Sequence, residues 1–117
     1  MGRIVAAFWN SCAGLSYALR TERAVRQEAA LLVVSVPLAF LVTTSGWQRL
    51  LLIGVVVLVI SAELLNTCIE KLCDHVTPQR HPQIKAVKDM GSAGVFCVQL
   101  LAGVAWLLAL AERLGWA

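Results

Sequence analysis

The chain has 117 residues, of which 59% are hydrophobic and only 15% charged, and its formal net charge is +3. Soluble domains carry about 25% charged residues, and the mean hydropathy here is +0.76. A water-soluble domain is therefore excluded, and the positive balance reports membrane topology rather than binding to nucleic acid. One all-α integral membrane domain over residues 1–117 is expected.

Residues 4–20 carry a helical stripe, with Ile4, Phe8, Ser11, Leu15 and Leu19 at the three-to-four spacing of one face. Arg3, Asn10 and Arg20 lie off it. The pattern fits an amphipathic helix on the membrane surface, or equally an ordinary helix packed on the other segments. The apolar part of this region, IVAAFW, is shorter than a signal core of about 7–15 residues, so the segment is expected to be retained. The four cysteines, Cys12, Cys68, Cys73 and Cys97, have no metal-ligand spacing and read as small apolar side chains.

A polar knot, RTERAVRQE, occupies residues 20–28, and AALLVVSVPLAFLVTT follows. Extended back to Ala24, this gives a first span over 24–44, near the length of about 20 residues that crosses a bilayer core. Pro37 inside it is tolerated in a membrane helix. Ser45-Gly46 is the expected turn, and Trp47 suits an interface. The second span is expected over 50–72, a polar loop over 74–88 (DHVTPQRHPQIKAVK), and the third span over 89–110.

The N-terminal part holds Arg3, Arg20, Arg23 and Arg26, and Lys71, Arg80, Lys85 and Lys88 lie at or after the end of the second span. The opposite side holds Arg49 and Arg113. The positive-inside rule then puts the N-terminus and the polar loop in the cytoplasm, and three spans put the C-terminus outside.

The second span ends in SAELLNTCIEKLCD. On a helix, Glu63, Asn66, Glu70 and Asp74 fall within roughly 80° of one another, with Thr67 on the same side. If hydrocarbon begins near Lys71, Glu63 lies about 12 Å inside. A charge that deep costs on the order of 2.5–3.5 kcal/mol and marks a functional site by default. Glu22 and Glu28 around the start of the first span, and Lys88, Asp89 and Ser92 at the start of the third, belong to the same leaflet. Gly91 and Gly94 allow close helix approach there. Carboxylates able to share a divalent ion, with a lysine nearby, are what a metal-bound polyphosphate needs. A deeper carboxylate could activate a hydroxyl presented from the lipid. Simpler readings compete: Asn66 and Thr67 as interhelical hydrogen bonds, His75 and His81 as solvated loop residues, Arg23 and Arg26 as headgroup anchors. No Gly-rich nucleotide loop is present.

ELLNTCIEKLCD (63–74) followed by KDMGSAGV (88–95), with ERAVRQE (22–28) upstream, resembles the prokaryotic diacylglycerol kinase family over nearly the whole chain. The resemblance implies a homotrimer in the bacterial inner membrane, with active sites shared between subunits. It implies transfer of the γ-phosphoryl group of ATP, with Mg2+, to diacylglycerol. It makes Glu63 the catalytic base, Glu22 and Glu70 the metal-binding carboxylates, and Asn66 an active-site amide. Nucleotide contacts would be Arg3, Asn10, Glu22, Glu70, His81, Lys88 and Asp89. The lipid would meet Arg3, Arg26, Glu28, Glu63 and Ser92.

Ala6 and Cys12 depart from residues of some members, and Asn10 stands where some have an aromatic neighbour of the nucleotide. HPQIKAVKD is also similar to the related undecaprenol kinases, although MGSAG then follows the diacylglycerol pattern. The alternatives are an undecaprenol kinase, a small ion-coupled transporter with Glu63 as its proton site, and a non-catalytic membrane scaffold. Against transport, residues 50–60, LLLIGVVVLVI, carry no polar side chain.

Overall fold

A computed structural model describes residues 2–117. It contains four helices in chain order: α1 (Gly2–Thr21), α2 (Arg23–Val42), α3 (Gly46–Val76) and α4 (Pro82–Arg113). The last three are long and apolar enough to cross a membrane. Short links between them force antiparallel neighbours. α3 is the central element, packed on both α2 and α4, which touch each other little.

The spans expected over 50–72 and 89–110 lie inside longer helices, and the segment 74–88 is mostly not a loop. Only residues 77–81 are non-helical there. The reason is local. Pro82 is at the start of α4, where its missing N–H is harmless, and His81 caps it, Nδ1 accepting from the Gln83 N–H at 3.1 Å. Polar residues read as loop are thus the wet ends of two helices. The turn between α2 and α3 is residues 43–45, one step earlier than expected. Ser45 caps α3 by accepting from the Gln48 N–H at 3.3 Å, and Gly46 is already helical.

The outer half of the bundle is held by packing. Ala39 from α2, Leu52 from α3 and Ala109 from α4 form its buried centre, with Trp106 against them. The Trp106 indole N–H donates to the Leu52 carbonyl at 3.0 Å, tying α4 to α3. In a bilayer such a bond is worth about 0.6 kcal/mol on average. The Arg49 guanidinium covers the Phe40 ring at 4.1 Å and donates to the Thr43 carbonyl at 3.0 Å. Arginine thereby closes the end of α2 with a polar cap.

At the other end, α1 and α2 are separated by Glu22 alone, in extended conformation (φ −114°, ψ 116°). Arg26 staples this joint. Its Nη1 donates to the carbonyls of Leu19 and Arg20, both at 3.1 Å. Those carbonyls end α1 and would otherwise lack partners. Of α1's residues only Ala18 is buried, and Ile4, Val5, Phe8 and Trp9 are exposed.

Candidate active site

The stripe on α3 changes environment along its length. Asn66 is buried, Glu63 half-buried, and Glu70 and Asp74 are exposed. The helix therefore carries its polar face from the bundle interior out into water within three turns.

The neighbouring helices meet this stripe at four places. From α2, Glu28 is buried, and its carboxylate lies within electrostatic reach of Glu63. Its Oε1 has no hydrogen-bond donor among the described residues. Glu22, at the joint, accepts from Lys71 at 3.2 Å, and that ammonium also sits 5.6 Å from the centroid of the Tyr17 ring. From α4, Lys88 donates to Asp74 at 2.6 Å and also feels Glu70. Gly91 abuts Asn66, whose Oδ1 is buried without a donor.

Other expected site residues are placed differently. Asp89 pairs with Lys85 one turn earlier, at 2.7 Å. Arg26 is occupied as the staple of α1, and His81 as the cap of α4. Arg3 and Asn10 are exposed on α1, and Ser92 is exposed on α4. Gly94, expected at a close helix approach with Gly91, instead has nothing within 4 Å of where a Cβ would stand. Only Gly91 is at the contact, because the α3 stripe passes α4 there.

Sequence reasoning gave Lys71 no role beyond its charge. Its pairing with Glu22 depends on how α2 meets α3, which helical spacing alone does not give. Asp74 was part of the stripe but was not assigned to Lys88, since the pairing depends on α4 beginning before residue 88.

Two apolar grooves flank α2. One, about 670 Å3, runs beneath α1 and is lined by Leu15, Val25, Leu32 and Leu64, with Tyr17, Glu22 and Lys71 also on its wall. The other, about 380 Å3, lies between α2 and α4 and is lined by Glu28, Ser35, Val59, Gln99 and Trp106. Each is largely apolar with polar residues among its lining, which suits an acyl chain carrying a polar head.

Carboxylates at graded depth, a lysine paired among them and two apolar grooves form a coherent constellation. The sequence profile described as prokaryotic diacylglycerol kinase matches residues 9–110. The chain belongs to the prokaryotic diacylglycerol kinase family. A diacylglycerol kinase of Pseudomonas aeruginosa is 44% identical over 104 residues, covering 89% of this chain and 85% of that protein. A diacylglycerol kinase of Escherichia coli is 34% identical over 113 residues, 97% of this chain and 93% of its own. An undecaprenol kinase of Bacillus subtilis is 34% identical over 98 residues, 84% of this chain and 79% of its own. Membership makes this a membrane kinase, and a kinase takes a nucleotide substrate and usually a divalent metal.

Proposed function

We propose that this chain transfers the γ-phosphoryl group of ATP to the free hydroxyl of diacylglycerol, giving phosphatidic acid. The observation that best supports this beyond family membership is the buried Glu28 carboxylate, within electrostatic reach of Glu63, with Oε1 lacking a donor among the described residues. Two carboxylates, one of them buried with an oxygen lacking any donor, are suited to a ligand that brings a hydroxyl from the lipid side. Glu63 accepts the proton of that hydroxyl as its oxygen attacks the γ-phosphorus in line. Glu28 orients the hydroxyl, and the acyl chains lie in the apolar grooves beside α2. The leaving ADP departs from the wet end, where Lys88 and Asp89 face the nucleotide. The closer likeness to proteins named diacylglycerol kinase does not favour the undecaprenol alternative.

The carboxylates present fit Mg2+. It is a hard cation that takes oxygen donors, and beside a nucleotide it needs only one or two carboxylates, phosphates and water supplying the rest. Glu22 and Glu70 would hold it, and it would neutralise charge on the phosphates. Glu22 is engaged by Lys71 in this structure, so the ammonium and the ion compete for one carboxylate. Lys71→Met is expected to raise the apparent Mg2+ affinity about two- to fivefold, the modest value of a part-exposed pair. Mn2+ binding in the presence of nucleotide, followed by electron paramagnetic resonance, checks this; unchanged or weaker binding would refute the competition.

The protein is placed in the bacterial inner membrane with its N-terminus and active site in the cytoplasm and its C-terminus outside. Eight of the ten cationic residues support this, since only Arg49 and Arg113 lie at the other end. α1, with its exposed apolar side chains, rests on the cytoplasmic surface. Self-association into a homotrimer follows from the family reading. Leu51, Leu58, Leu65 and Leu72 form an exposed apolar row on α3 that other copies or lipid would cover.

The deciding assay offers diacylglycerol and undecaprenol in the same mixed micelles, with γ-labelled ATP and Mg2+. Label in phosphatidic acid is the expected result. Label mainly in undecaprenyl phosphate would move the substrate to the polyprenol, and none in either lipid would end the kinase reading.

A further inference from the structure

Asn66 stands midway along the α3 stripe, one turn from Glu63 and one turn from Glu70. Its side chain is buried and its Oδ1 has no hydrogen-bond donor. A buried amide oxygen without a donor is held in place by packing alone, and Gly91 of α4 is part of that packing. A Cβ built on Gly91 would overlap Asn66 Oδ1 outright and would also lie 3.4 Å from Asn66 Cγ and 3.7 Å from Ile69 Cδ1. The Gly91 Cα–H that a side chain would replace therefore points at Oδ1, a weak donor to an otherwise orphaned acceptor.

We infer that Gly91 is a positioning residue for phosphoryl transfer: by lacking a side chain it leaves the space in which Asn66 is held on the active-site stripe. The inference rests on the lipid-kinase reading. Gly91 lies three residues from Lys88 on α4, so the same helix that carries the phosphate-facing lysine fixes the amide between the two carboxylates. A methyl group at 91 has only two outlets. It turns Asn66 away, or it moves α4 off α3 and carries Lys88 with it. Both displace groups that must act together. The contact is local, since Gly94, one turn on, has open space where its Cβ would be.

The test compares wild type, Gly91→Ala, Asn66→Ala, the double variant and Gly94→Ala in mixed micelles with diacylglycerol. Turnover, KM for lipid, elution volume and melting are read for each. Gly91→Ala is expected to lose about a hundredfold in kcat, as a misplacement near 1 Å does, with lipid KM little changed. In the Asn66→Ala background the same change is expected to cost nothing further, because the space has been vacated. Gly94→Ala keeps wild-type turnover. If Gly91→Ala fails to assemble, the double variant is expected to recover the elution and melting of Asn66→Ala. Full turnover in Gly91→Ala, equal losses in both backgrounds, or an equal loss in Gly94→Ala would overturn the inference. A wild type that labels no lipid would sink the lipid-kinase reading itself and the inference with it. Wild-type labelling with an active Gly91→Ala would sink the inference alone.

Discussion

Glu63→Gln is expected to lower kcat about a thousandfold, within the range that a lost general base costs, while leaving the helical bundle intact. Glutamine keeps the shape and hydrogen bonding of the side chain but cannot take the proton. It also removes a charge from a half-buried site beside Glu28, so the variant is expected to melt no lower than wild type. That separation of activity from stability is the signature of a chemical role. Glu63→Asp, which keeps the base but shortens its reach, is expected to fall between the two. Phosphatidic acid formation from labelled ATP, measured beside thermal unfolding in the same micelles, checks both halves. Near-normal turnover in Glu63→Gln would remove this residue as the base.

Lys88→Met is expected to cost about a hundredfold in kcat/KM for ATP, the scale of one lost charge-stabilising contact in a transition state. Lys88 is anchored to Asp74 at 2.6 Å and also feels Glu70. It is thus held at the wet end of the stripe, where phosphates would arrive. The loss should appear mainly against nucleotide, with lipid KM little affected. Lys85→Met is the useful contrast. Lys85 pairs with Asp89 on the same helix, and both side chains are largely exposed, so its removal is expected to change turnover less than about threefold. Equal losses in the two variants would mean that general positive potential, not Lys88 itself, serves the nucleotide.

The spans were legible because residues 50–60 run without a single polar side chain, a pattern that only a bilayer or a fully buried core accommodates. The acidic stripe was legible because helical spacing alone aligns Glu63, Asn66, Glu70 and Asp74. The helix ends were not. DHV and QIKAVK look like loop by polarity, yet helix continues wherever backbone hydrogen bonds continue, and water solvates polar side chains on a protruding helix as well as on a loop. The start signal at His81-Pro82 was present in the sequence. The pairings were beyond reach for a different reason. Lys71 with Glu22, Lys88 with Asp74, and Gly91 against Asn66 each join different helices, and which faces meet is set by packing over the whole bundle. Arg26 shows the same limit: a cation near the surface suggests a lipid headgroup, whereas two carbonyls at the end of α1 hold it.

The polar stripe of α3 ends at Ser61, and residues 50–60 fill the far half of the bundle with apolar side chains, Trp106 bonding to the Leu52 carbonyl there. Every group placed in the chemistry therefore lies at one end. On the mechanism proposed above, the proton taken by Glu63, the phosphoryl group and the ADP would all enter and leave through the same leaflet. No charge would then traverse the hydrophobic thickness during a cycle. A full crossing would couple to the membrane potential by about 2.3 kcal/mol per charge per 100 mV. Such a cycle would be electrically silent and indifferent to the membrane potential.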